Sequence, residues 1–304
     1  MTRGLKVLTG FGVMFGLALI LFAVFGSEGK NDEFKPQDEF KLDSWIPIKI
    51  GPIDMSINKA VLYLALASIA TILTMTWIAR KMSAQSPDTK PHRMQTAIEA
   101  AYDLTNNTIT KANLTDTRMA AKWFAFIATL FFFIWFSNMI GYIPLPTSHE
   151  KVDLFGIEVP AFALYAATAN LSVPLVLTLV VWFAYHIEGF RTQGPVKYLK
   201  SWVPAGVSGP AAVPIFAIEV ISQFVRIISL SVRLFANILA GHLLILFMGG
   251  GLVVLLGLAA LGVFTLPMAV AFFLFEVGLV ATLQAFIFAT LTAIYIGGAV
   301  TADH

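Results

Sequence analysis

AAVPIFAIEVISQFVRIISLSVRLFANILAGHLLILFM, Ala211–Met248, decides how the rest of the chain is read. The stretch is long and apolar enough for a membrane helix, yet Glu219, Arg226 and Arg233 lie along it. On a helical wheel with Arg233 at zero and a step of about 100° per residue, Glu219 and Asn237 fall near about +40°, Arg226 near about +20°, Ser222 near about −20° and Ser229 near about −40°. These polar side chains share an arc of about 80° over about 27 Å of helix. They form a stripe.

A mid-membrane arginine costs roughly 2.5–3.5 kcal/mol on insertion scales, so packing alone would be served more cheaply by an uncharged residue. Polar contact with a neighbouring helix, with Glu219 neutralising Arg226, is one reading of the stripe. An ion pathway is the reading that explains why charge is kept there.

Composition agrees with a membrane setting. The chain has 304 residues, 58% hydrophobic and 12% charged, with a mean hydropathy of +0.79, which excludes an ordinary soluble domain. With no cysteine, disulfides and thiolate metal sites are impossible. The histidines show no ligand spacing, and the net charge of +2 gives no basis for nucleic-acid binding.

From the N-terminus, Val7–Phe25 is an uncharged run preceded by Arg3 and Lys6, compatible with a first membrane helix or a signal peptide. The cleavage signal around Val24-Phe25-Gly26 is poor, which favours a retained anchor over residues 1–26. A polar segment outside the membrane follows to residue 57, and Ala60–Ala79 is long enough to span a hydrocarbon core of about 30 Å. After Pro87 and Pro91, Met94, Ile98, Ala101, Thr105 and Ile109 recur at helical spacing, which predicts an interfacial amphipathic helix. Trp123–Ser148 and Val159–Tyr185 read as further spans.

Loop charges alternate: −3 over 27–57 (4 basic, 7 acidic), +3 over 80–93 (4 basic, 1 acidic), −2 over 144–160 (1 basic, 3 acidic) and +2 over 186–203 (3 basic, 1 acidic). By the positive-inside rule the second and fourth of these are cytoplasmic, and so is the N-terminus if the first helix is retained.

A helix over all of Ala211–Met248 would measure about 57 Å, nearly twice the hydrocarbon core, so it must tilt strongly, bend, or run partly along the membrane plane. Gly249-Gly250-Gly251 reads as the turn into a returning segment that Pro267 should kink or divide. Gln284 and Tyr295 share one face of the final helix, at about 20°. His242 lies about 180° from Arg233 and should point away from the stripe, towards Glu276. The predicted fold is all-α: a polytopic membrane protein with about five to six membrane helices, the interfacial helix, and a long tilted C-terminal hairpin.

SLSVRLFANILAGH (229–242), followed by TLQAFIFATLTAIYI (282–296), resembles subunit a of the F-type ATP synthase. AIEAAYDLTNN (97–107), SNMIGYIP (137–144) and TANLSVPL (168–175) extend the likeness over most of the chain from residue 57 onward. The resemblance implies an ATP synthase subunit a membrane domain over 58–304, in the cell inner membrane, working against a c-ring with peripheral-stalk b subunits and other Fo and F1 subunits as partners. It implies that Arg233 is the essential stator arginine, with Asn237 and His242 near it, Gln284 opposite, and Glu219 on an aqueous access path. Arg226, Ser229, Ser222 and Tyr295 follow as secondary channel-lining residues. In relatives of this kind the partner of the His242 position lies seven residues before the glutamine, whereas Glu276 lies eight before Gln284. One residue is about 100° of rotation, which sets the His242–Glu276 pairing against ordinary helical register.

The implied role is a non-catalytic, proton-translocating subunit with two aqueous half-channels separated by Arg233. No phosphate-binding loop of the Walker type is present, so ATP should be bound elsewhere in the complex. Whether protons or sodium ions are coupled is fixed by the ring carboxylate, which lies on another chain. An autonomous transporter using Arg233 for an anionic substrate would call for an inverted repeat, and the sequence shows no such symmetry. A purely structural scaffold is the other alternative.

Overall fold

The computed structural model describes residues 39–51, 53–84, 93–114, 116–154, 157–204, 207, 209–251, 253 and 262–301, with positions 10, 12–17, 19, 20 and 24. The expected first helix and its cleavage site, the breaks at Pro87 and Pro91, and the boundary between residues 26 and 27 lie largely outside these residues.

The described residues contain five helical stretches long and apolar enough to cross a membrane, and the fold is all-α apart from two small hairpins. A short hairpin, β1 (Lys49–Ile50) and β2 (Ile53–Asp54), turns at Gly51, whose φ of 61° suits a residue without a Cβ. Helix α1 (Lys59–Ala84) begins at a buried lysine whose ammonium reaches the Glu39 carbonyl and lies 5.0 Å from the Tyr165 ring centroid. Helix α2 (Arg93–Asp103) continues directly into a π-helical stretch, Leu104–Lys111. The apolar stripe expected there is real at Thr105 and Ile109, both fully buried.

Helix α3 (Thr117–Gly141) is the centre of the molecule. Asp116 caps it by accepting the Arg118 N–H at 2.9 Å, and both α1 and the last helical segment, Ala281–Val300, pack against it. Ile127 and Ile134 are completely buried in it. The span expected to run to Ser148 instead ends at Gly141, because Pro144 and Pro146 lack the N–H a helix needs. The chain then forms an antiparallel hairpin, β3 (Leu145–Leu154) with β4 (Ile157–Ala163). That replaces the first part of the span expected over Val159–Tyr185, where Pro160 suits an edge strand. Helix α4 (Ser172–Gln193) starts only after a short 3-10 turn, Ala167–Ala169. It stops at Gly194, φ 78°, from which α5 (Pro195–Lys200) departs with proline in its first turn.

Helix α6 (Ala212–Leu246) has 35 residues, or about 52 Å at about 1.5 Å each. The triple glycine is not a turn: Phe247–Gly251 prolongs α6 as a π-helical segment. An apolar setting favours continuing helix over unpaired backbone groups. Any reversal between residues 252 and 261 falls outside the described residues, apart from 253. Helix α7 (Gly262–Phe275) runs through Pro267 undivided. The returning segment changes character at a π turn, Glu276–Val280, and resumes as α8 (Ala281–Val300). Ala281, Ala285, Ala289 and Ala293 repeat every fourth residue along α8, and none has any exposed surface. Small side chains in that row let α3, α4 and α6 come close.

Candidate functional site

Packing sorts the residues of α6 onto two faces. Gln223, Leu230, Leu234, Ile238 and His242 are buried, whereas Ser229, Arg233 and Asn237 are exposed and Glu219, Ser222 and Arg226 are half-buried. The polar stripe therefore runs along the margin of the chain's own core. Among the described residues, Arg233 makes no hydrogen bond or ion pair, and neither does Asn237 or Gln284. Gln284 is buried on α8, while Tyr295, on the same face, is half-buried one cavity away.

Towards the N-terminal end of α6 lies a cavity of about 690 Å³ between α4, α5, α6 and α8. A chain of contacts crosses it. Tyr185 donates its O–H to Gln223 Oε1 at 2.8 Å, and Gln223 Nε2 donates to Glu219 Oε1 at 2.7 Å. Arg226 Nη2 donates to the same Glu219 oxygen at 3.2 Å, and its guanidinium lies 5.2 Å from the Tyr295 ring centroid. Arg226 is half-exposed here, so its attraction to Glu219 is moderated by solvent. Tyr198 and Trp202 complete the wall, and burial pushes the Tyr198 phenol above its ordinary pKa. Ser222 and Ser229 do not line this cavity.

Beyond Arg233 a second polar cluster is enclosed where α3 ends. His242 has no exposed surface; its Nδ1 lies 3.0 Å from the Ile238 carbonyl oxygen and its Nε2 3.1 Å from that of Gly141. The imidazole stacks on the Tyr142 ring with centroids 4.6 Å apart, and the Tyr142 O–H donates to Glu276 Oε2 at 3.0 Å. Burial, and then the Glu276 carboxylate, push the Tyr142 phenol well above its ordinary pKa, so it stays a neutral donor. Thr168 donates to Asn138 Oδ1 at 2.7 Å, and Asn138 Nδ2 donates to the Ala281 carbonyl at 3.3 Å, tying the 3-10 turn and α8 to α3.

His242 points away from Arg233, as the wheel requires, yet it makes no direct hydrogen bond to Glu276: the two meet through Tyr142. The register problem raised by the spacing of Glu276 and Gln284 is absorbed locally. Glu276 opens a π turn, whose i→i+5 bonds house one residue more than an α turn. Sequence reasoning missed Gln223, Tyr185, Tyr142 and Asn138 as members of these clusters. Gln223 lies about 40° outside the stripe on the wheel, and Tyr142 and Asn138 sit within the SNMIGYIP motif, which was the available signal.

The family model of the ATP synthase A chain matches residues 61–297. The chain belongs to the ATP synthase A chain family. Proteins described as ATP synthase subunit a are similar to it nearly end to end. That of Parvibaculum lavamentivorans is 33% identical over 273 residues, covering 88% of this chain and 94% of the relative. That of Pelagibacter ubique is 34% identical over 270 residues, covering 88% and 98%. The Brucella ovis protein is 33% identical over 275 residues, covering 88% and 98%. A family member with these apolar helices is a multi-pass membrane subunit of the ATP synthase.

Proposed function

We propose that this chain is the stator half of the Fo proton channel, with two half-channels that meet a c-ring at Arg233. The observation that carries the reading is the order of groups along α6. The Glu219–Arg226 cavity lies on one side of Arg233 and the His242–Glu276 cluster on the other, with the arginine on the exposed margin between them. Arg226 is about 10 Å and His242 about 14 Å from Arg233 along the axis.

In this reading the cavity faces the cytoplasm, because Tyr198 and Trp202 belong to the basic 186–203 loop. The His242 cluster faces the opposite side of the cell inner membrane, where α3 ends and the β3–β4 hairpin begins. Arg233 blocks a proton leak between them because a guanidinium stays protonated, with pKa above about 12. As a ring carboxylate approaches, the fixed cation favours its charged form and its proton leaves by the cytoplasmic path. The carboxylate is then reloaded from the extracytoplasmic side and enters lipid neutral. Asn237 lines the approach beside Arg233 and Gln284 faces it from α8, while Tyr295 stands on the cavity wall and Ser222 and Ser229 continue the polar stripe outside the cavity. Residues 58–304 form this membrane unit, with 1–26 as an anchor, 27–57 as an extracytoplasmic segment, and b subunits holding the unit fixed. Catalysis of ATP formation belongs to other subunits, towards which each charge crossing 100 mV contributes about 2.3 kcal/mol.

The deciding experiment is ATP-driven acidification of inverted membrane vesicles carrying Arg233→Lys, with assembly checked by co-purification of the ring. Loss of pumping with normal assembly is expected. Normal pumping would return the stripe to polar packing.

A further inference from the structure

We propose that Tyr142 is the positioning residue of the extracytoplasmic path, its phenol fixing Glu276 and its ring fixing His242 so that two ionisable groups on separate helical segments act as one unit. The inference rests on the assignment of His242 and Glu276 to that path.

Gly141 and Tyr142, at the end of α3, hold both partners. The Gly141 carbonyl meets His242 Nε2 at 3.1 Å, and the next residue donates to Glu276 at 3.0 Å while its ring stacks on the imidazole at 4.6 Å. Phe273 packs edge-on against the same ring at 5.8 Å. The phenol is only 4% exposed, so its hydroxyl has no ready exchange with bulk water. From α6, Gly241 leaves room for the Glu276 carboxyl, where a Cβ would collide with it. The titratable groups that meet here are Tyr142 from α3, His242 from α6 and Glu276 from the π turn. Without Tyr142, no hydrogen bond among the described residues would link the histidine site to the glutamate.

A hydrogen bond donated to a carboxylate favours its ionised form, and in a dry site it also fixes the direction of the oxygens. Tyr142 thereby sets both where Glu276 stands and how readily it takes up a proton. Tyr142→Phe removes the donor and keeps the ring. Tyr142→Met removes both, and Tyr142→His keeps a ring with a donor.

The test uses the intact synthase in inverted vesicles, whose lumen is the extracytoplasmic side. ATP synthesis is measured against lumenal pH, with the total driving force held constant by a potassium diffusion potential. Y142F is expected to assemble, to synthesise ATP several-fold more slowly, and to move the pH midpoint upward by about one unit, the scale of a lost charge-assisted bond. Y142H should recover part of the rate, and Y142M should be the slowest. A Y142F enzyme with unchanged rate and midpoint overturns the proposal, while an inactive R233K control leaves the channel assignment standing. If R233K itself remains coupled, the channel assignment fails. Should Y142F not assemble, Y142H behaving like Y142M would overturn the role of the donor.

Discussion

Gly241 shows how much one missing methyl group decides at the residue scale. A Cβ there would collide with the Glu276 carboxyl, so this placement of the carboxyl against α6 depends on glycine. Overpacking a fitted site costs about 1–3 kcal/mol. Gly241→Ala is therefore expected to displace Glu276 and to cut coupled proton pumping by about tenfold at equal subunit level, the factor that about 1.4 kcal/mol produces. Pumping at the normal rate, with immunoblots showing a normal amount of subunit, would count against the packing. Arg233 was legible in the sequence because a cation in an apolar run needs a reason. Tyr142 was not: the SNMIGYIP motif marks its position, but its partner lies 134 positions away and the motif does not name it.

At the scale of elements, the π turn at Glu276–Val280 answers a question that helical wheels pose and leave open. It adds one residue between Phe275 and Ala281, so Glu276 faces α6 despite its longer spacing from Gln284. Deleting the exposed Gly278 should convert this turn to α-helix and keep Glu276 and Gln284 in near-native register, since seven residues of α-helix return to within about 20°. Deleting Ile287 instead rotates the remainder of α8 by about 100° and removes its alanine row from the core. Assembly and pumping should largely survive the first deletion and be lost in the second. Equal loss in both would refute the account of the turn. The apolar spans were readable from length and charge. The β3–β4 hairpin was not, because its residues are as apolar at the ends as a helix terminus, and the prolines indicate only where α-helix stops.

Across the whole molecule, α3 is the post against which α1 and α8 are set, and Lys122 ties its N-terminal end to α4. Lys122 Nζ reaches both oxygens of Glu188 at 2.6 Å, with the glutamate side chain 2% exposed and the lysine 49%. Removing the lysine strands a buried acid, while its own exposure moderates the loss to about 1–3 kcal/mol. Lys122→Met should lower the melting temperature of the detergent-solubilised complex by about 3 °C or more, and K122M/E188M should recover part of it. A double variant as unstable as the single one would contradict this.

By itself the sequence determined the membrane class and the charged stripe of α6, because hydrocarbon punishes each misplaced charge or unpaired backbone group in a way that composition records. Only the tertiary structure decided that the stripe lies at the margin of the core, that Gln223 joins Glu219, and that Tyr142 stands between His242 and Glu276. Those contacts come from packing between helices distant along the chain, and local periodicity carries no information about them.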